Sequence, residues 1–246
     1  VYTAPPYAFT SKPSTINVLE GEDASIVCAV QGKPEYFPML WLNESFVIGM
    51  NKMLYDTKDR VTLDGTRDGN IDIFTLSITN IELLDEGDFE CQLPGRFKLR
   101  QKHSLIVNIP PQITSDPDAQ SSFDREIGED ILLECPATGK PEPVVTWKRL
   151  DNFPIQRQET VEGQSLFLSN LTEFENGKYI CFASNGFGQD KTREFEINVN
   201  FEPKVMTPSN WVHTGPGHSV RLECTFSGNP SVQSIWQYEG DDINVN

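Results

Sequence analysis

The side chains best suited to chemistry are few: five cysteines and three histidines among 246 residues. A thiolate can attack a substrate, bind a metal or enter a disulfide, and an imidazole can relay protons. His103 falls on a segment of alternating polarity, while His213 and His218 flank the turn Gly215-Pro216-Gly217. None has a serine or cysteine beside it in a nucleophile setting. Gly-x-Ser-x-Gly, His-Glu-x-x-His and phosphate-cradling glycine loops do not occur. The stretch from Asp64 to Asp72 faintly resembles a calcium loop. It carries Thr66 at the third position and Thr75 at the twelfth, where a bidentate glutamate belongs. A polar hairpin is the better account. The sequence therefore implies no enzyme, no cofactor and no metal.

Charge narrows the partners. Asp and Glu number 36 against 20 Lys and Arg, a net charge of −16. A nucleic-acid ligand would need phosphate neutralisation, and an anionic membrane surface a polybasic patch. Neither fits. Hydrophobic residues at 37 % and aromatics at 10 % suffice for packed cores. No stretch approaches eighteen uncharged apolar residues, and no basic-then-apolar leader opens the chain, so any signal peptide is expected to have been removed already.

The elements that position the cysteines repeat. Cys28, Gly32-Lys33-Pro34, Trp41 and Asp85-Glu86-Gly87-Asp88-Phe89-Glu90-Cys91 form one set. Cys135, Gly139-Lys140-Pro141, Trp147 and Glu175-Asn176-Gly177-Lys178-Tyr179-Ile180-Cys181 form a second. Cys224, Gly228-Asn229-Pro230 and Trp236 begin a third. Between these landmarks lie short runs of period-two alternation, such as Ile26-Cys28-Val30, Leu76-Ile78 and Leu166-Leu168, bounded by turn residues. Long amphipathic stretches of helical spacing are missing. Short strands in repeats of about 90–100 residues predict all-β tandem sandwiches.

These landmarks resemble immunoglobulin-superfamily domains over essentially the whole chain. The resemblance implies core-bridging disulfides Cys28–Cys91 and Cys135–Cys181, with a tryptophan packed on each. Phe89 departs from the pattern, because a tyrosine hydroxyl would normally tie that position to the E–F corner. The longer first unit leaves room for C′-type strands and resembles a V/I-set domain, and the second has I-set spacing. Boundaries are expected at 1–109, 110–200 and 201–246, the last being the N-terminal part of a domain whose missing half would pair Cys224. Proline-containing joints at Val107–Ile113 and Val199–Val205 predict an extended rod. Disulfides imply an oxidising compartment, and the sequons Asn43-Glu44-Ser45 and Asn170-Leu171-Thr172 agree with a secreted or cell-surface glycoprotein.

With Trp41 in the core, alternation places Leu40, Leu42 and Glu44 outward. The following Phe46-Val47-Ile48-Gly49-Met50 is apolar on both faces. Gln92, Phe97 and the alternating Arg96, Lys98, Arg100 and Lys102 complete an expected apolar patch with a basic rim. A glycan on Asn43 would crowd that rim.

Val107-Asn108-Ile109-Pro110-Pro111-Gln112-Ile113, Ala183-Ser184-Asn185-Gly186 and Phe201-Glu202-Pro203 further resemble the IgLON, lachesin and DIP group. That resemblance implies neuronal three-domain cell-surface proteins, often GPI-anchored, dimerising through the CC′FG face of domain one. The implied function is adhesion through Leu40, Leu42, Glu44, Phe46, Ile48, Met50, Gln92 and Phe97. The partner would be the chain itself or another immunoglobulin-superfamily protein, with any membrane tether in C-terminal sequence beyond Asn246. The ectodomain of a signalling receptor, or a secreted ligand-binding protein, is the alternative.

Overall fold

Alternating apolar residues, rich in Ile, Val and Leu, make strands that bury one side and must pair in sheets to do so. The computed structural model describes residues 6–55, 59–95, 98–116 and 118–243. Its contacts divide the chain into two units. One holds residues 1–111 with 138–143 and 184–190, and the other holds 112–137, 144–183 and 191–246.

The first unit contains β1 (Ala8–Phe9), β2 (Thr15–Leu19), β3 (Ala24–Gln31), β4 (Leu40–Asn43), β5 (Phe46–Met50), β6 (Met53–Leu54), β7 (Val61–Asp68), β8 (Ile71–Ile78), β9 (Gly87–Leu93) and β10 (Leu99–Ile113), the last two residues of β10 grouping with the second unit. One sheet runs β1-β3-β8-β7, and the other runs β10-β9-β4-β5-β6 with β2 parallel to β10. The suspected calcium loop is the antiparallel β7–β8 hairpin. Extra C′-type strands are present as β5 and β6, as the longer first interval predicted. Between the sheets, Ile26, Val30, Met39, Trp41, Leu76, Phe89, Leu105 and Val107 pack around the disulfide Cys28–Cys91.

In the second unit, β11 (Ser122–Glu126), β12 (Ile131–Glu134), β13 (Ala137–Lys140), β14 (Val144–Arg149), β15 (Val161–Glu162), β16 (Ser165–Leu168), β17 (Gly177–Ser184) and β18 (Lys191–Met206) follow the same plan, except that residues 138–140 of β13 and Ser184 group with the first unit. Sheet β12-β16 faces sheet β11-β18-β17-β14-β15 across Leu133, Trp147, Leu166, Tyr179 and Ile197, with Cys135–Cys181 bridging them. The two disulfides close loops of 63 and 46 residues. Each restricts the unfolded chain by about 4 kcal/mol on the loop-entropy account.

Past β18, strands β19 (Thr225–Asn229), β20 (Trp236–Tyr238) and β21 (Asp241–Ile243) form without a core. No described residue after Val199 is buried, and Cys224 forms no disulfide with another described residue.

Candidate interaction face

Strand register decides which side chains share a surface, because residues opposite one another in antiparallel strands project to the same side. Trp41 stands opposite Cys91, and both are fully buried. The neighbouring rows must therefore face outward. Leu40 lies opposite Gln92, which lies opposite Arg100. Leu42 lies opposite Glu90, which lies opposite Lys102. On the far side Leu40 pairs with Met50 and Leu42 with Val47. Leu40, Leu42 and Met50 are half-buried and Val47 is 45 % exposed, so four apolar side chains sit together on the outer face.

The register also corrects the expected set. Between Trp41 and Leu42 the β4–β5 pairing shifts by one residue, because Val47 and Gly49 are partnered and Ile48 is left over as a bulge. An extra residue inverts the alternation beyond it. Ile48 consequently leaves the outer face and packs against the core, while Val47 takes the outward place beside Leu42. Phe46, opposite Asn43, falls on Trp41's side of the sheet rather than with Leu42, although it is 78 % exposed at the sheet's end. The bulge has one sequence signal, Gly49 inside a strand. A Cβ at Gly49 would lie 2.8 Å from the Met53 carbonyl oxygen and 2.4 Å from Leu63 Cδ1, so the chain passes there only without a side chain. Glu44 sits with Ser45 in the two-residue turn, both at positive φ, as a type I′ hairpin requires. Gln92 shares the outward row yet is only 9 % exposed. Phe97 and Arg96 lie outside the described residues.

Two members of the basic rim, Arg100 and Lys102, are compensated. Lys102 Nζ lies 2.6 Å from Asp88 Oδ2, and Ser104 Oγ donates to Asp88 Oδ1 at 2.7 Å. Lys102 and then Ser104 hold the Asp88 carboxyl below its ordinary range. Arg100 Nε is 3.5 Å from Glu90 Oε1. Acid and base therefore alternate across β9 and β10 beside the apolar rows. A glycan on Asn43 would not crowd this face, since Asn43 shares the side of Trp41 and Phe89.

On the inner side of β10, His103 and Gln101 are buried. His103 Nδ1 is 2.7 Å from Ser14 Oγ, and its Nε2 is 3.5 Å from Cys28 Sγ. Burial lowers the imidazole pKa. His103, Cys28 and Cys91 place their donor atoms within 4.8 Å of one another, but both sulfurs are spent in the disulfide. A metal would find no thiolate there.

The family model "Immunoglobulin domain" matches residues 110–185. Limbic system-associated membrane protein of Rattus norvegicus is 27 % identical over 237 residues, covering 96 % of this chain and 67 % of that protein. Protein amalgam of Drosophila melanogaster is 30 % identical over 202 residues, covering 80 % and 60 %. Peroxidasin homolog of Mus musculus is 27 % identical over 242 residues, but the chain spans only 15 % of it. Among solved structures, a chain of the Dpr11 IG1–DIP-gamma IG+IG2 complex matches with TM-score 0.63 at 25 % identity, covering 79 % of this chain and 99 % of that one. A chain of the Dpr2 Ig1-Ig2–DIP-Theta Ig1-Ig3 complex shares the fold with TM-score 0.71 at 21 % identity, over 98 % and 83 %. The chain thus carries an immunoglobulin domain over residues 110–185, is similar in sequence to limbic system-associated membrane protein, and shares the tandem-sandwich fold of the immunoglobulin domains in Dpr–DIP complexes.

Proposed function

We propose that this chain is an extracellular recognition protein that adheres through the outer β10-β9-β4-β5 face of its first module. Its partner is a second copy or a related immunoglobulin-domain protein. The observation that carries this reading is the apolar row Leu40, Leu42, Val47 and Met50, bordered by the pairs Arg100–Glu90 and Lys102–Asp88. A net charge of −16 would keep two copies apart by repulsion. A face whose charges are neutralised in place is where that repulsion is smallest. Dpr11 IG1 is solved bound to DIP-gamma IG+IG2, which supports another immunoglobulin protein as the occupant.

Two disulfides and two sequons support a location outside the reducing cytosol, and the likeness to limbic system-associated membrane protein supports display on a neuronal surface. The described residues include no helix long and apolar enough to cross a membrane. Catalysis forms no part of this reading, since four cysteines are paired and His103 is sealed in a core. An interface of about 800 Å² per partner gives micromolar to nanomolar affinity depending on its anchors.

The test is bead aggregation with the chain on one bead and either the chain or limbic system-associated membrane protein on the other. Leu42→Asp should weaken any association at least ~tenfold, because it buries an unpaired carboxylate. Circular dichroism should be unchanged. Association equal to wild type would contradict the face.

A further inference from the structure

At the end of the first module, opposite in sidedness to the outer face, lies an open recess of about 240 Å³ lined by Asn43, Glu44, Phe46, Ile48, Leu84 and Glu86. Two of its walls are apolar side chains almost wholly in water, Phe46 at 78 % and Leu84 at 88 % exposure. A large exposed aromatic beside an exposed leucine calls for a cover. Asn43 stands inside the recess and begins the sequon completed by the exposed Ser45. Among the described residues its carboxamide enters no hydrogen bond, so nothing in the fold competes for that nitrogen.

We propose that Asn43 carries an N-linked glycan whose first sugars lie over Phe46 and Leu84 and close this recess. In the attachment step Asn43 Nδ2 attacks C1 of the reducing sugar of a lipid-linked oligosaccharide diphosphate. The N–C1 bond forms, the C1–O bond to phosphate breaks, the diphospholipid leaves and one amide proton is released. A pyranose ring presents a row of C–H groups on one face and hydroxyls around its edge. Laid on the Phe46 ring it buries the former while leaving the latter in water, which is how amphipathic groups cover apolar surface. The attachment point confines the sugar to the recess, so little association entropy remains to be lost. Because Asn43 projects to Trp41's side, the cover leaves Leu40, Leu42, Val47 and Met50 bare. The glycan thus blocks the second apolar patch of this module and restricts docking to the first.

Asn170 is a built-in control. It too heads a sequon and is exposed, but it lies outside the strands and does not line the recess beside it that Leu168, Ser169 and Tyr179 border.

The experiment uses the full chain secreted from cells that N-glycosylate. Glycopeptide mass spectrometry reads occupancy at Asn43, and hydrogen exchange reads residues 44–48 and 83–86. We expect Asn43 to be occupied. Enzymatic trimming of the folded wild type, and separately Ser45→Ala, should speed exchange in both segments about tenfold, the ratio that ~1.4 kcal/mol supplies. Asn170→Asp should leave these segments unchanged. In Phe46→Ser, trimming should change exchange less than twofold, because the surface it uncovers is gone. The proposal is overturned by an unmodified Asn43, by exchange that ignores trimming, or by an equal trimming effect in Phe46→Ser.

Discussion

The E–F corners of the two modules solve one problem with different chemistry. In the second, Tyr179 Oη donates to the Glu175 carbonyl at 2.9 Å and accepts from Arg149 Nη1 at 3.3 Å. Arg149 also donates to the Phe174 and Asn176 carbonyls. In the first, Phe89 has no hydroxyl, and the corner is tied instead by Arg60, in the turn before β7. Arg60 Nη1 and Nη2 reach the two carboxylate oxygens of Asp85 at 2.7 and 3.3 Å, and Nη1 also donates to the Asn80 carbonyl at 2.7 Å. The tryptophans differ likewise. Trp147 Nε1 donates to the Gly163 carbonyl at 2.8 Å, whereas Trp41 Nε1 has no partner. Trp41 Nε1, Asp72 Oδ2, Glu90 Oε1 and Gln101 Nε2 are the buried polar atoms without a hydrogen bond among the described residues, Glu90 Oε1 having only its 3.5 Å ion pair with Arg100, and all belong to the first module. The module that carries the candidate face is the less satisfied of the two, as expected where function rather than stability selects the residues.

The largest test of this contrast is removal of each disulfide. Paired Cys→Ala changes should cost either module about 4 kcal/mol in urea unfolding. Set against a domain stability of roughly 5–15 kcal/mol, that loss should abolish the first module's cooperative transition and only weaken the second's. Equal survival would remove the asymmetry. The corner residues come next. Tyr179→Phe should destabilise the second module by about 1–2 kcal/mol, through the unsatisfied Glu175 carbonyl and Arg149. Arg60→Met should destabilise the first, and only that loss should shrink as salt is added.

Much of this was legible in the sequence, because disulfide, tryptophan and corner motifs are local signals with fixed spacing. Cys28–Cys91, Cys135–Cys181, the β7–β8 hairpin and the extra β5 and β6 strands follow from it directly. The face was legible only in part. Leu40, Leu42 and Met50 obey simple alternation, but the bulge at Ile48 depends on β4–β5 register, which no residue type encodes beyond Gly49. Cross-strand pairs such as Arg100–Glu90 and Lys102–Asp88 join residues ten and fourteen positions apart, so a run of basic residues read along the chain looked like an uncompensated rim. The loss of the Phe89 hydroxyl was visible, but its replacement by Arg60 and Asp85 was not, since that contact joins two turns 25 residues apart in the chain.

Smaller effects follow from pH. Burial lowers the His103 pKa below its ordinary 6.5, so the folded first module favours the neutral ring. Its stabilising effect is full above the unfolded pKa and declines as pH falls through about 6.5 and below. Thermal scans between pH 7.5 and 5 should lower the first transition in wild type and much less in His103→Gln. In the second module, burial pushes the Tyr179 phenol up to about 12. The neutral form is the favoured one there, so this contribution is whole below pH 10 and lost as pH rises towards 12. Absorbance at alkaline pH should show one late-ionising tyrosine that disappears in Tyr179→Phe.

The most direct measurement sets the two outer faces against each other. Sedimentation or surface-binding titrations would compare wild type with Leu42→Asp in the first module and with Lys148→Asp in the second, where Lys148 is exposed 4.4 Å from the Phe182 ring. Adhesion through the first module predicts that Leu42→Asp loses at least ~tenfold in affinity while Lys148→Asp binds as wild type does. Loss only with Lys148→Asp, or loss with neither, would contradict it.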